Sequence, residues 1–268
     1  FTDFADDLKL LGNECYGSKS EHGIYHSNSG DRAVISGNFC HDNHACGIQL
    51  NADPSNGGDG IHSECLVERN LLVDNNQSGG AAINLASVRD SVIRNNLAYG
   101  NLATGIGMWD DGQGHQWGCQ GNLVEHNTIV FASGKGRFGV TIWNGSTGNT
   151  VRNNVFLSGA RGGISFTEES LPGLESDYNL YFSLDGWHLF EDENKQQKYN
   201  FDQFKQLTGG DANSLKGQPQ FVDPQRGKYT LEPGSPGHDS GTDSGVTDCY
   251  DGTLRPKGAG YDMGALDT

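Results

Sequence analysis

Six ionisable side chains fall in two similar stretches of this 268-residue chain. NADPSNGGDGIHS (51–63) offers Asp53, Asp59 and His62, and DDGQGHQWG (110–118) offers Asp110, Asp111 and His115. Two chemistries use carboxylates grouped this way. In the first, Asp53, Asp110 and Asp111 ligate Ca²⁺, which takes several oxygen ligands. The metal bridges to a uronate carboxylate and acidifies the proton α to it. Arg89, Lys135 or Arg137 then serves as base or charge stabiliser for β-elimination. In the second, one carboxyl donates a proton to a glycosidic oxygen while another activates water. Ca²⁺ is the cofactor of the first chemistry, and the second needs none. The plain alternative is that D-D-G and D-G simply form turns.

Sugar binding has its own signal. Trp109 and Trp143 stand at equivalent positions of two similar runs, GIGMWDD and GVTIWNG. Exposed aromatic rings on a polar face stack on the apolar C–H faces of sugars. Asn51, Asn84 and His115 are the polar residues expected beside them. An extended polysaccharide or oligosaccharide is therefore the expected partner.

These residues need a scaffold, and the chain repeats itself. An Asn precedes an apolar run at Asn13, Asn38, Asn70, Asn96, Asn127, Asn154 and Asn179, with spacings of 25, 32, 26, 31, 27 and 25. A small residue opens a strand-like run at Gly23, Gly47, Ala82, Gly105, Gly139 and Gly163. Stacked, the runs alternate with period two. Ile24, Ile48, Ile83, Ile106, Val140 and Ile164, then His26, Leu50, Leu85, Met108, Ile142 and Phe166, form the inward set. Tyr25, Gln49, Asn84, Gly107, Thr141 and Ser165, then Ser27, Asn51, Ala86, Trp109, Trp143 and Thr167, are expected to face solvent. Short strands in repeats of about 28 residues, without helical periodicity, indicate a stacked β-solenoid. The recurrent Asn is expected to take the left-handed backbone of a sharp corner and to hydrogen-bond from coil to coil.

Coils of a parallel sheet lie ~4.8 Å apart. The two long stretches follow the second and fourth runs, and the third has only ASVRDS (86–91) there. They are expected to form walls roughly 10 Å apart, over a floor carrying Asn84 and Arg89.

With G-I-x-apolar strands and corners at Arg69-Asn70, Asn95-Asn96 and Asn153-Asn154, residues 13 to 182 resemble the pectate-lyase-like superfamily. The resemblance implies an all-β fold, a right-handed parallel β-helix, over 1–186. An irregular C-terminal capping segment, 187–268, is expected to cover the open end. Helical spacing is predicted at Phe201–Leu207. Asp239, Arg255 and Asp262 are read as structural. Asp110-Asp111 with Gly114-His115 is similar to the polygalacturonase pattern, although the R-I-K triplet of that pattern is absent. A polysaccharide lyase or glycoside hydrolase is expected, and the alternative is a non-catalytic carbohydrate-binding or surface module. If Asp110 and Asp111 are not the centre, Lys135, Arg137 and Arg161 mark the next place to look. Further coils upstream of Phe1 are expected.

Composition excludes other classes. A net charge of −16 argues against nucleic acid, which needs clustered Lys and Arg. No apolar run approaches the ~18 residues of a membrane helix. The six Cys form no C-x-x-C pair, so a thiolate zinc site is not expected. Cys15 and Cys40 fall in one inward column, as stacked thiols or one disulfide. A secreted or periplasmic monomer is the expected product.

Overall fold

A computed structural model describes residues 1–186 and 188–268. Its strands form three long parallel sheets of nine, eight and seven strands, apart from one antiparallel strand at the end of the first. Each complete coil adds one strand to each sheet. We call them sheet A, which contains the repeated runs, sheet B after it, and sheet C after the Asn corner. Coil 1 contains Thr2–Asp3, Lys9–Leu11 and Glu14–Tyr16, and coil 7 contains Ile164–Phe166, Glu175–Asp177 and Leu180–Ser183. The architecture is the right-handed parallel β-helix expected from the repeats.

The register shows why the repeat has its pattern. Ile83 pairs with Ile48 and Ile106, and Leu85 pairs with Leu50 and Met108. The inward set, His26 included, is buried along the solenoid. The small residue opening each run also has a steric reason. A Cβ on Gly105 would lie 2.5 Å from Ile129 Cγ2, one on Gly139 2.4 Å from Phe156, and one on Gly163 2.5 Å from Tyr181. Those larger side chains belong to the central inward column of sheet C. Ala82 is tolerated in the coil whose residue in that column is Ala98.

Seven Asn form an uninterrupted ladder, from Asn13 through Asn38, Asn70, Asn96, Asn127 and Asn154 to Asn179. Each Oδ1 from Asn38 onward accepts both the backbone N–H and the Nδ2 of the preceding Asn, as Asn127 does from Asn96 at 3.0 Å. The left-handed residue of the corner is the one before, which corrects the sequence reading. Gly12, Gly37, Arg69, Asn95, His126, Asn153 and Tyr178 carry φ between 52° and 67°. The division frees the ladder Asn to aim its amide inward, while its neighbour makes the bend and points outward.

Two further ladders occupy the other corners. Asn43, Asn75 and Asn101 are linked at 2.9 and 3.0 Å, and Asn122 donates to Asn149 at 3.0 Å. Their signal was present in the chain: the first three each lie five residues after a main-ladder Asn, and the last two five residues before one.

The C-terminal segment does two things. Phe190–Asp192 extends sheet A, Leu215–Lys216 extends sheet C, and helix α1 (Phe201–Thr208) closes the core. Asn200 and Gln203 form a reciprocal capping box at its start. Phe204 stacks on Phe190 at 3.9 Å and packs against Phe166. Beyond closing the end, the later tail doubles back along the flank. Thr242 O accepts from Asn153, Ser244 meets His126, and Asp248 meets both Asn95 and Arg69. The outward-pointing corner residues thus form its docking rail. Arg255 is buried under the tail, donating to Asn95 Oδ1 and to the Asp248 and Gly264 carbonyls and touching His126. Asp262 accepts from the Asp239 and Thr268 backbones. These residues hold the tail together, as the sequence reading had them.

Candidate functional site

The two long connections leave sheet A from coils 3 and 5, on either side of coil 4. Asp53 caps the turn Pro54–Asn56, accepting from Ser55 N at 2.8 Å and Asn56 Nδ2 at 2.9 Å. Asp110 is buried and accepts from Gly112 N, Gly114 N and Asn144 Nδ2 at 2.8–3.0 Å. Both carboxylates are therefore engaged in shaping their own loops. Asp59 likewise accepts from Ile61 N. Asp111 differs: its Oδ2 accepts from Asn51 Nδ2 at 3.0 Å. Burial pushes the Asp111 carboxyl above the usual range; the Asn51 hydrogen bond opposes this, and the charges of Asp53 and Asp110 add to it.

The Asn51–Asp111 bond corrects the expected cleft. It joins coil 3 to coil 5 over the short coil 4, so the walls meet where an open trough was expected. Nor do Asp53, Asp110 and Asp111 form a ligating cluster. Among the described residues, the one group of three or more potential ligands within reach of one another is His238, Asp239 and Asp262, in the tail. Arg89 also lies away from the floor. It follows the turn toward sheet B and donates to Gln116 O of the second insertion at 2.6 Å. His115 is 63% exposed and lies 3.6 Å from Glu169. His62 is buried beside His26, their rings 4.6 Å apart, and burial lowers both.

The outward face of sheet A brings other predicted residues together. Asn51, Ala86 and Trp109 occupy one register row, and Trp143 follows on the next coil. Trp109 and Trp143 are both half-buried. Trp143 Nε1 donates to Ser165 Oγ at 3.0 Å, whereas Trp109 Nε1 is buried without a hydrogen-bond partner. The two rings flank a cavity of about 190 Å³ that Asn84, Thr104, Gly107, Thr141 and Arg137 also line. Asn84 donates to Gln49 at 2.8 Å. A Cβ on Gly107 would come 2.7 Å from Asn84 Oδ1, so glycine there keeps the floor open.

This face is less exposed than the alternation implied. Gln49, Asn84, Thr141, Ser165 and Thr167 are buried; Trp143 reaches over Ser165, and Asn84 and Thr141 lie in the cavity between the rings. Sequence reasoning had named Arg137 as a possible base and, with Lys135 and Arg161, as the next place to look, without joining it to the Trp pair. The fold places both on one cavity, since the strand entrance after Arg137 faces the same surface. Arg137 makes no ion pair among the described residues, whereas Arg69, Arg94 and Arg152 are each bound to a carboxylate. Thr104 and Thr141 were missed as lining residues; Thr is too common in strands to carry a signal. A larger cavity, about 480 Å³, follows the seam between coils 6 and 7 and the tail, lined by Arg152, Tyr178 and Thr242 among others. It lies among the contacts that dock the tail.

Stacked three-sheet coils define a parallel β-helix protein, here with a cavity between two Trp rings on the outer face of one sheet. Residues 7–171 match the family described as periplasmic copper-binding protein (NosD), and the chain belongs to that family. It is 25% identical over 193 residues to the uncharacterized protein YwoF of Bacillus subtilis (strain 168), covering 66% of this chain and 39% of that protein. The chain thus spans well under half of that relative. Among solved structures it is similar to the periplasmic alginate epimerase AlgG, with a TM-score of 0.46 and 17% identity over 68% of this chain and 41% of the other.

The copper of the family's description was tested against the residues present. Residues 7–171 contain no group of three or more converging His, Cys, Asp or Glu ligands among those described. The His238–Asp239–Asp262 group lies outside that span. Its carboxylates already accept from the backbone of Asp239, Gly260 and Thr268, which leaves one imidazole and no soft sulfur ligand in the group. The donor set does not fit copper.

Proposed function

We propose that this is a periplasmic or secreted β-helix protein that binds a polysaccharide along the outer face of sheet A, over Trp109 and Trp143. The observation that carries the reading is the cavity between the two rings, with Thr and Asn on its floor and unpaired Arg137 at its edge. The rings offer flat apolar surfaces to a sugar's C–H faces. Asn84, Thr104 and Thr141 offer hydrogen bonds to hydroxyls. Arg137 can form a fork-like pair with a sugar carboxylate, allowing a chain of net charge −16 to accept an acidic glycan. The family's description supports the location.

Cleavage is the second reading, favoured by Asp111. It reaches back to Asn51 in the Trp109 row, and burial moves its carboxyl upward, the direction a general acid needs. Ca²⁺ enters as an arm of the test, because oxygens of Asp53 and Asp110 would first have to leave their loop partners.

The test is a panel of neutral and acidic polysaccharides, read by titration calorimetry for binding. Unsaturated products and reducing ends are followed with and without chelator. Trp143→Ala and Arg137→Ala should each weaken binding of an acidic glycan about tenfold, or 1.4 kcal/mol, and Arg137→Ala should spare a neutral one. Absence of binding across the panel would overturn the proposal, as would binding indifferent to both substitutions. Activity that survives Asp111→Asn would remove the second reading alone.

A further inference from the structure

One coil interrupts the central outward row of sheet A. In register the row reads Gln49, Asn84, Gly107, Thr141 and Ser165, and Gly107 alone lacks a side chain. No backbone demand explains it, because Gly107 lies inside the strand Thr104–Trp109 and has no positive φ. Core packing does not explain it either. A Cβ on Gly105, on the same strand, would meet the Gly139 carbonyl at 2.5 Å as well as Ile129. One on Gly107 would meet Asn84 Oδ1 at 2.7 Å, Ala81 Cβ at 3.4 Å and Thr141 Oγ1 at 3.6 Å. The first is the end of a side chain that can swing aside, and the others are ordinary contacts. The glycine leaves a pit in the row, on the floor of the cavity between Trp109 and Trp143.

The atoms around the pit have a definite polarity. Asn84 gives its Nδ2 to Gln49 at 2.8 Å, which turns its Oδ1, an acceptor, toward Gly107. The Thr141 hydroxyl has no hydrogen-bond partner among the described residues and is free to donate. Trp109 Nε1, another donor, is buried and unpaired. Ala81 Cβ and the two indole rings are apolar. At about 190 Å³ the cavity is smaller than the ~300–1,000 Å³ of pockets that engulf a whole ligand, so it takes a substituent or a single ring. Asn84 Oδ1 turns a carboxylate away from the pit, since two acceptors have no proton to share; Arg137 at the edge is the place for that group. A hydroxyl can satisfy Asn84 but leaves the apolar wall bare. An acetamido group carries all three complements: an N–H, a carbonyl oxygen and a methyl.

Resting on the reading of this face as a glycan-binding groove, we propose that the Gly107 pit recognises the acetamido group of an N-acetylated amino sugar. The amide N–H donates to Asn84 Oδ1, the carbonyl oxygen accepts from the Thr141 hydroxyl, and the methyl rests on Ala81 between the indole walls. The sugar ring then lies against a Trp face, and an acidic group beside it reaches Arg137. Gly107 is the specificity-determining residue, because any side chain there occupies the space of the acetamido group. A sugar with a hydroxyl in its place leaves Thr141 unpaired and the apolar wall empty, and both losses fall on the same ligand.

The experiment titrates the full chain, by calorimetry, with two pairs of oligosaccharides. Chitotetraose and cellotetraose share one linkage and differ in carrying acetamido or hydroxyl groups; hyaluronan and galacturonan fragments make the acidic pair. In whichever pair binds, the N-acetylated member should bind about tenfold more tightly, as one added hydrogen bond and a buried methyl allow. Gly107→Ala should bring that ratio to about one, since its methyl fills the pit and displaces the Asn84 amide. Thr141→Val keeps the shape of the side chain and removes its hydroxyl, so it should lower the same ratio and carries the test if Gly107→Ala does not fold. Equal affinity within a pair that binds overturns the pit and leaves the groove reading standing, as does a preference that both substitutions leave in place. Failure of all four glycans and of the wider panel removes the groove reading, and this inference with it.

Discussion

Two faces of the same solenoid receive opposite treatment. The outer face of sheet C and its corner with sheet B are roofed by the tail. Tyr229 settles on Tyr99 at 4.8 Å and meets Phe221 at 5.2 Å, among Leu97, Val130 and Leu157. Below the roof, Glu68 and Glu125 are buried against Arg94 and Arg152. The outer face of sheet A also presents large aromatics, yet no segment of the described chain roofs Trp109 and Trp143. There the row between the rings is Asn, Thr and Gly, and a cavity remains. Burial of apolar area rewards covering the first face, at roughly 25 cal/mol per Å². Covering the second with apolar chain would leave its polar floor without partners. Aromatic content alone therefore does not distinguish a docking surface from a groove; the polarity of the neighbouring row does.

The comparison can be broken by substitution. The largest effect is expected at Tyr229→Ala, which empties the aromatic seat beneath the roof. Loss of about 3–5 kcal/mol is expected, read as a lowered denaturant midpoint and earlier proteolysis of the tail. A loss below 1 kcal/mol would mean that the tail rests on its polar rail alone. Next is Asn96→Ala, in the middle of the ladder common to both faces. It strands the N–H groups of Asn70 and takes from Asn127 Oδ1 one of its two donors, and should cost about 1–3 kcal/mol. An unchanged melting temperature would show that the ladder contributes nothing net. The smallest effect is expected at Trp143→Ala, on the open face. Its ring is half-buried and its hydrogen bond to Ser165 is one neutral pair, so a loss of about 1 kcal/mol or less is expected. Destabilisation as large as that of Tyr229→Ala would make Trp143 a core residue and end the contrast.

How far the chain could be read differs between these parts. The ladder from Asn13 to Asn179 was legible because each rung repeats one coil later, and stacking allows one arrangement for such a set. Trp109 and Trp143 were legible as a pair for the same reason. Asp53 and Asp110 were read as chemical groups and proved to be engaged in turns, since a D-x-x turn and a reactive carboxylate have the same spelling. Arg137 was seen, but not its meeting with the Trp pair. Residues 132–137 are an irregular connection, and no period fixes where it returns.

The repeating sequence alone determined the coil: which residues face inward, where a small residue opens each run, and where Asn stacks. Those are relations between neighbouring coils, and a period carries them. Only the tertiary structure decided that the two insertions join through Asn51 and Asp111. It also decided that the tail turns back along Arg69, Asn95, His126 and Asn153. These contacts bridge up to 179 positions and occur once. A contact made once leaves no periodicity; its geometry is set by where the solenoid has already carried both partners.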